Sequence, residues 1–397
     1  MAKRVKATIN PEVLVWARTS AAYEIDVVGE KLDLDPEVVR AWESGDEQPS
    51  IPQLRKLAEL YRRPLAVLYL PAAPMAFRPM HDFRRLPESG FRRFSPELTY
   101  EIRSAHQRRQ LALELLEEEG ENPQKFALTA TLETSAEVAG AAIRDALGID
   151  YALQSTWRDP RVALHAWRAR VEELGVLVFQ ASRVSSEEAS GFAFWAETLP
   201  FVVVNRKDTH GRRVFSLLHE IAHLMLHQSG VSDVEAEGPR PNDDERVEVY
   251  CNAVAASALM PRQLFLAEPL VADHQGGKEA WSDGTIKALA ATYGVSREAA
   301  VRRLLTLGRT TEDFYRRKRS QYGQEFRAQR QREKEKRGDK GIPRNMPLET
   351  VADFGRPFVR MLLSRYHAER LSLAEVSGFL GVKVRHIPGI EQTVGLG

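Results

Sequence analysis

One segment, RVFSLLHEIAHLMLH at 213–227, places the strongest constraint on how this chain can fold. Its apolar side chains occupy nearly every side of a helical wheel, so a helix formed here has to be covered by other elements all round. These side chains are Phe215, Leu217, Leu218, Ile221, Leu224, Met225 and Leu226. The chain has 397 residues, 43% of them apolar, and can supply such a core. The segment therefore predicts a buried, central helix from Arg212 to His227.

The same segment carries side chains that can bind a metal. His219 and His223 are four residues apart, which places both imidazoles on one helical face. Glu220 lies beside them and could take a proton from a metal-bound water. The alternative is a core helix whose histidines form hydrogen bonds with neighbouring groups.

A catalytic zinc ion needs a third protein ligand and one open position. The stretch DDERVEVYCNAVAASALMP (243–261) offers four carboxylates, those of Asp243, Asp244, Glu245 and Glu248. Glu248 is four residues before Asn252 on the same helical face and has apolar neighbours, and a carboxylate in such a setting needs a partner. Asn252 is then a candidate for orienting a ligand from outside the metal's own shell. The alternative is a surface glutamate in a charged first turn.

Three apolar runs near the central helix predict strands. They cover residues 175–180, 192–195 and 200–205. The last two are joined by a short turn and are expected to pair antiparallel. Helices are predicted on either side, so the stretch from about 155 to 270 predicts an α+β module with a small antiparallel sheet.

Three stretches together resemble the ImmA/IrrE family of metallopeptidases. They are VVVN (202–205), FSLLHEIAHLMLH (215–227) and EVYCNAVAASALMP (248–261). The resemblance covers about residues 155–270. The sequence differs from the family pattern at Val254, where the family usually has phenylalanine. It implies a zincin-like domain that hydrolyses peptide bonds.

The resemblance also implies a role for each site residue. The Zn²⁺ ligands it implies are His219, His223 and Glu248, with manganese as the alternative metal. Glu220 would be the general base. His227, one turn beyond His223, is not expected to be a ligand. Tyr250 is a candidate for stabilising the oxyanion, and a packed tyrosine is the alternative.

Residues 10–70 are similar to the Xre-type helix-turn-helix domains that often accompany this peptidase. The similarity is carried by EKLDLDPEVVRAWESGDEQPSIPQLRKLAELYRRPL (30–65), above all by Trp42 to Gly45. Asp35 followed by Pro36 is typical of a helix N-cap with proline in the first turn. The segment from Pro36 to Glu43 then corresponds to the recognition helix, which in such domains enters the major groove.

The charge of this module does not decide whether its partner is operator DNA or a protein. Residues 9–70 hold 7 Lys/Arg and 11 Asp/Glu, a net charge of −4, whereas phosphate contacts dominate DNA affinity. Arg40 is the one basic residue of the recognition helix and is therefore the candidate for DNA contact, together with a basic arm at 3–6. Asp33 stands where a turn glycine is usual. The alternative is a surface that docks a partner protein.

The chain is predicted to contain four stretches. They are an all-α helix-turn-helix domain at 1–74, a linker and helical region at 75–154, the α+β metallopeptidase domain at 155–270, and a helical C-terminal region with a basic segment at 271–397. Residues 75–94 are rich in Arg, Phe and Pro and are expected to thread over another surface, which could be the active-site cleft.

Two features mark the last stretch. Residues 296–345 carry 16 Lys/Arg against 7 Asp/Glu, which indicates a solvated helix with a loop or a local electrostatic surface. The Gly-Val-Ser turn at 294–296 joins two predicted helices, and the second is basic through Arg297, Arg302 and Arg303. This pair resembles a helix-turn-helix, but the family resemblance favours a helical part of the peptidase.

Composition excludes several classes of protein. With 56 basic and 55 acidic side chains, general coating of nucleic acid is not expected. The single cysteine, Cys251, excludes a disulfide framework. The first twenty residues lack the apolar core of a signal peptide, and no apolar run approaches 18 residues. We therefore expect a cytoplasmic protein without a membrane partner.

Two functions from different classes fit these observations. The first is a regulatory zinc metalloendopeptidase that cleaves a specific protein, a transcriptional repressor encoded nearby being the expected substrate. The second is an Xre-type DNA-binding regulator or antitoxin that binds a partner toxin, with a structural or idle zinc site. A structural site would normally have four protein ligands, and only three can be named, which favours the first function.

Overall fold

The computed structural model describes residues 5–74, 81–82, 94–232, 242–337 and 345–396 of the chain. Two compact units are present. The first comprises Met1–Met80 and Leu86–Gln107, and the second comprises His81–Arg85 and Arg108–Gly397. Among the described residues, no helix has both the length and the apolar composition needed to cross a membrane.

The first unit consists of short helices around an apolar core. Its elements are α1 (Pro11–Thr19), α2 (Ile25–Leu32), α3 (Pro36–Ser44), α4 (Ile51–Leu60), a 3₁₀ helix (Leu65–Tyr69) and the first half of α5 (Pro96–Glu117). Side chains of Asn10 and Asp35 cap α1 and α3, and a proline follows each cap as the sequence predicts for Asp35. Leu14, Val39 and Trp42 are buried where these helices meet.

Helix α3 lies where the sequence predicts a recognition helix, and its one basic side chain is paired with acidic neighbours. The guanidinium of Arg40 is 3.1 Å from the carboxylate of Asp26 and also contacts Glu37. Glu43 turns inward and pairs with Arg18 at 2.8 Å. Asp33 takes a left-handed conformation with φ of 55°, which is the one that glycine adopts most easily. DNA binding by this unit stays a prediction.

A mixed five-stranded sheet forms the centre of the second unit. Its strands are β1 (His81–Asp82), β2 (Leu177–Ala181), β3 (Gly191–Phe194), β4 (Phe201–Asn205) and β5 (Gly230–Ser232). Their order across the sheet is β1-β5-β3-β4-β2. Strand β3 pairs antiparallel with both β4 and β5, as predicted for the pair of runs at 192–195 and 200–205.

The prediction of an antiparallel sheet is wrong for the other two pairs. Strand β2 is parallel to β4, with Leu177 opposite Phe201, and β1 is parallel to β5. The reason lies in the connection after β2. The loop at 182–190 leads from β2 to β3, which lies two positions away in the sheet. Strand β4 then occupies the position between them, antiparallel to β3 and therefore parallel to β2.

Helices make up most of the rest of this unit. They are α6 (Ala136–Leu147), α7 (Tyr151–Ser155), α8 (Pro160–Glu173), α9 (His210–Met225), α10 (Asn242–Leu259), α11 (Arg262–Ala267), α12 (Pro269–Ala272), α13 (Asp283–Tyr293), α14 (Arg297–Thr306), α15 (Glu312–Arg337), α16 (Met346–Phe354), α17 (Arg356–His367), α18 (Leu373–Phe379), a 3₁₀ helix (Val384–His386) and α19 (Ile387–Val394). Helix α9 packs on β3 and β4, with α8 and α10 beside it. Almost all of the predicted linker at 75–94 lies outside the described residues, apart from β1 and Phe94.

The basic helix α14 is fixed inside the second unit. Arg303 is buried, donates from Nε to the carbonyl of Met260 at 2.9 Å, and pairs with Glu137 at 2.7 Å. Arg302 pairs with Glu298, and Arg297 pairs with Glu325. All three basic side chains are therefore engaged within the unit, which favours a role as part of its helical packing.

Gly140 allows α6 and α10 to approach closely. A Cβ built on Gly140 would lie 2.7 Å from the backbone nitrogen of Ala258 and 2.8 Å from the Cβ of Ser257. We expect Gly140→Ala to lower the free energy of unfolding by about 2–3 kcal/mol, because backbone has to move. Urea unfolding followed by circular dichroism measures this change.

A matched control for that measurement is Gly378→Ala. Gly378 lies in α18, and a Cβ built there has no atom within 4 Å. This substitution should raise the free energy of unfolding by roughly 0.5 kcal/mol, since alanine favours helix over glycine. Equal effects of the two substitutions would contradict the close packing of α6 on α10.

Candidate metal centre

Helix α9 begins and ends at residues suited to those positions. The side chain of Thr209 accepts a hydrogen bond from the backbone N–H of Arg212 and caps the first turn. The helix ends at Met225, and His227 takes a left-handed conformation just beyond it. The apolar side chains between these ends are buried on nearly every side. The two histidines of the motif are consequently held inside the unit.

Three side chains from α9 and α10 converge on one point. Nε2 of His223 lies 3.1 Å from Nε2 of His219 and 3.1 Å from Oε1 of Glu248. Nε2 of His219 is 3.6 Å from Oε2 of Glu248. In the described part of the chain, this is the one group of three or more His, Cys, Asp or Glu side chains whose ligand atoms all lie within 4.8 Å of one another. The group could hold a metal ion.

Burial and mutual contact set the charge of these groups. Burial lowers the pKa of the His223 imidazole and so favours its neutral form. Burial alone would raise the pKa of Glu248, but the adjacent imidazoles of His219 and His223 outweigh it and hold this pKa well below its ordinary value. A neutral imidazole beside an ionised carboxylate is the protonation state that a metal requires of its ligands.

The carboxylate of Glu220 lies against the backbone of β3. A Cβ built on Gly191 would be 2.9 Å from Oε1 of Glu220 and 2.8 Å from the carbonyl oxygen of Val203. Only glycine therefore leaves room for this carboxylate between the helix and the sheet. Sequence reasoning missed Gly191, although glycine within a strand often marks such a close approach.

The four carboxylates on α10 that were proposed as a third ligand differ in how deeply they are buried. Asp243 and Glu245 are exposed and Asp244 is half-buried, whereas Glu248 is fully buried. Cys251, one turn further, is buried as well, and desolvation raises the pKa of its thiol, with the nearby charges of Glu248 and Glu220 adding to the effect. Its sulfur is not part of the convergent group. The geometry therefore favours Glu248 among the candidates.

Three other residues proposed near the site have different surroundings. Oδ1 of Asn252 is buried and has no hydrogen-bond partner among the described residues. Tyr250 is half-buried and packs against the apolar core of the second unit, which favours the packed tyrosine. His227 is exposed and stacks on Trp195 with ring centroids 4.5 Å apart, as expected of a helix-end histidine.

Asn205 has a role that the sequence did not reveal. Its Nδ2 is 2.8 Å from the carbonyl oxygen of Ala189 and 3.1 Å from that of Ser185. Its Oδ1 accepts a hydrogen bond from the backbone of Lys207. Asn205 thus fixes the loop that leads into β3, and through it the position of Gly191 beside Glu220.

Residues 171–305 match the family model described as Peptidase_M78, an IrrE N-terminal-like domain. The matched stretch contains His219, Glu220, His223 and Glu248, and it supports a metallopeptidase-like function of the ImmA/IrrE kind. It does not extend to the N-terminal unit, whose likeness to Xre-type domains stays a prediction. No curated protein matches the chain.

Proposed function

We propose that this protein is a regulatory zinc metalloendopeptidase that cleaves one or a few specific proteins. The observation that carries the proposal is the convergence of the buried side chains of His219, His223 and Glu248, with Glu220 following His219 directly on α9. The match of residues 171–305 to the IrrE N-terminal-like family supports it. Two imidazoles and one carboxylate are the ligand set of many catalytic zinc sites.

The donor set fits zinc. Imidazole nitrogen suits zinc, whereas magnesium and calcium prefer oxygen ligands. The ionised carboxylate of Glu248 is buried between two imidazoles, and a buried charge of this kind is costly without a cation to balance it. A structural zinc site normally has four protein ligands, while a catalytic one has three and an open position. Three ligands converge here among the described residues.

We propose a role for each of these side chains. The chemistry that a bound zinc ion supplies is polarisation of the scissile carbonyl and a lower pKa of the attacking water. Glu220 would accept the proton of that water and pass it to the leaving amine. His219, His223 and Glu248 lie on packed helices, which hold their donor atoms in position before the metal binds.

The proposed substrate class depends on the family resemblance. We propose a transcriptional repressor encoded nearby as the substrate. The first unit would dock a protein, because Arg40 pairs with Asp26 and Glu37, and these pairs compete with DNA phosphates for its guanidinium. Operator DNA is the alternative partner of residues 1–70.

A second candidate function is a regulator or antitoxin that binds a partner toxin and does not use the metal. The burial of the site favours it. His219, Glu220, His223 and Glu248 are each at most 1% exposed, so a peptide can reach them only after part of the unit moves.

One experiment separates the two functions. Purified wild type and His223→Ala are analysed for metal by elemental analysis and are each incubated with the protein products of adjacent genes. We expect one zinc per chain in wild type, loss of zinc in the variant, and cleavage of a neighbour by wild type only, detected by mass spectrometry.

The matched control is His227→Ala, which removes an exposed histidine on the same helix end and should keep its zinc. Bound zinc with no cleavage of a neighbour that co-purifies would favour the regulator or antitoxin. Wild type without metal would show that His219, His223 and Glu248 do not form a zinc site.

A further inference from the structure

Three arginine side chains of the first unit lie close together, where the end of α4 contacts α1 and α5. Arg62 and Arg63 follow the last turn of α4, and Arg103 is on α5. Nη2 of Arg103 donates to the backbone carbonyls of Tyr61 and Arg62, at 3.1 Å in each case. The guanidinium carbons of Arg62 and Arg103 lie 4.2 Å and 5.8 Å from the centre of the Tyr100 ring. These contacts place two of the three guanidinium groups around one aromatic ring.

The third guanidinium group, that of Arg63, extends from the same turn toward α1. Its carbon lies 4.0 Å from the centre of the Trp16 ring, and its Nη2 donates to Oγ of Ser20 at 2.8 Å. Arg103 is only 9% exposed, whereas Arg62 and Arg63 are half-buried. The three side chains therefore run from one buried arginine to two that border solvent, and a small ion can approach from the solvent side.

No carboxylate balances the charge of this arginine cluster, which comprises Arg62, Arg63 and Arg103. None of the described residues places a carboxylate oxygen within 4.0 Å of its guanidinium groups. Burial, followed by the charge of Arg103, lowers the pKa of Arg63 to about 10. Burial also lowers the pKa of Arg103, where Tyr100 opposes the effect and the charge of Arg62 adds to it. A buried cation with other cations as neighbours is costly unless an anion joins it.

The acidic residues of the neighbouring helices do not supply this anion. Glu43 on α3 accepts two hydrogen bonds from Arg18, at 2.8 Å and 2.9 Å. Glu97 and Glu101 lie on α5, but neither is within 4.0 Å of the cluster or contributes to the lowered pKa of its two shifted arginines. The first unit therefore contains one buried arginine with an acidic partner and a cluster of three arginines that has none among the described residues.

Each guanidinium group of the cluster also has a buried nitrogen that lacks an acceptor. These atoms are Nη1 of Arg62, Nε of Arg63 and Nη1 of Arg103, and none has a hydrogen-bond partner among the described residues. Buried donors are rarely left in this state in a folded protein. The backbone points the same way, because Arg62 has a φ of 51°, a left-handed conformation that favours glycine. Other residue types held in this conformation are concentrated at functional sites.

We propose that Arg62, Arg63 and Arg103 form a binding site for an oxyanion of the phosphate type, either free phosphate or the phosphoryl group of a small molecule. Phosphate oxygens accept the paired hydrogen bonds that guanidinium groups donate, and their negative charge balances the cluster. The rings of Trp16 and Tyr100 hold two of the cations by cation–π contacts. The site belongs to the first unit and does not depend on the function proposed for the second.

The test is a titration of the full-length protein at constant ionic strength, followed by isothermal calorimetry and by thermal unfolding. The probes are inorganic phosphate and adenosine monophosphate. We expect phosphate to bind and to raise the unfolding temperature of wild type. Tighter binding of adenosine monophosphate than of phosphate would identify a phosphorylated small molecule as the ligand. Binding that is no tighter would identify free phosphate.

The decisive variant is Arg62→Gly. Glycine adopts the left-handed conformation of this position without strain, and one of three neighbouring cations is removed. Without phosphate, the unfolding temperature of Arg62→Gly should therefore equal or exceed that of wild type, while phosphate binding should weaken at least tenfold. Arg63→Gln, whose amide can still donate to Ser20, should weaken binding at least threefold. The matched control is Arg55→Met, which removes an exposed arginine on α4 and should bind phosphate as wild type does.

Three results would overturn the proposal. The first is wild type that binds neither probe at 50 mM. The second is unchanged phosphate binding in both Arg62→Gly and Arg63→Gln, which would limit these arginines to a packing role. The third is a loss of binding in Arg55→Met as large as in Arg62→Gly, which would show a general response to positive charge on this unit.

Discussion

The Glu220→Gln variant should bind one metal ion per chain, as wild type does, and should lose between about 10²- and 10⁴-fold in kcat, the range that a positioned general base contributes. Glutamine has the shape of glutamate and fits the space that Gly191 leaves beside β3. Its amide cannot accept a proton at neutral pH. Loss of the proton acceptor with no change in shape should therefore lower kcat and leave KM nearly unchanged.

The measurement uses a protein substrate identified by incubating the protein with the products of adjacent genes. Cleavage products are quantified by mass spectrometry and zinc by elemental analysis. Glu245→Gln is the matched control, because Glu245 is an exposed carboxylate on α10. Activity of Glu220→Gln within threefold of wild type would show that another group is the base. Loss of zinc from this variant would show that Glu220 is a ligand.

The central helix could be predicted from sequence because its constraint is local. A segment that is apolar on nearly every side has few options other than a buried helix, and the spacing of His219 and His223 fixes their common face. Glu248 could be proposed because a carboxylate with apolar neighbours is unusual. The structure gives these residues the burial and the short distances that such a group needs.

The topology of the sheet could not be predicted in the same way. The apolar run in β2 indicates a buried strand, but the direction of its neighbour depends on where the loop at 182–190 takes the chain. Strands β1 and β5 have two and three residues, which is too short for an alternating pattern to appear. Strand β5 pairs with the longer strand β3, and β1 pairs with β5.

Two features of the second unit depend on contacts between residues distant in sequence. Gly191 is one glycine among 25, and its significance comes from Glu220 approaching from another element. Arg213 lies in a charged first turn of α9 and its sequence neighbours suggest a solvated side chain. Its burial becomes evident only when β2 and its residue Gln180 pack against it. Pairing of charges in three dimensions is not encoded in local spacing.

Glu248→Gln is the second substitution with a large expected effect, because it should remove most of the stability that the metal adds. A ligand present at 1,000 times its Kd stabilises the folded state by about 4 kcal/mol. We expect the chelator EDTA to lower the free energy of unfolding of zinc-loaded wild type by about this amount. The same treatment should change Glu248→Gln little, since two imidazoles alone hold zinc weakly and the variant will carry little metal.

Comparison of the two metal-free proteins distinguishes loss of a ligand from damage to the fold. Glutamine is a neutral isostere that can still accept a hydrogen bond from His223, and an amide is less costly to bury than a carboxylate. Metal-free Glu248→Gln should therefore be at least as stable as metal-free wild type in urea. Asp244→Asn, on the same helix, is the matched control and should keep its zinc. If Glu248→Gln kept its zinc and Asp244→Asn lost it, the third ligand would be Asp244 and not Glu248.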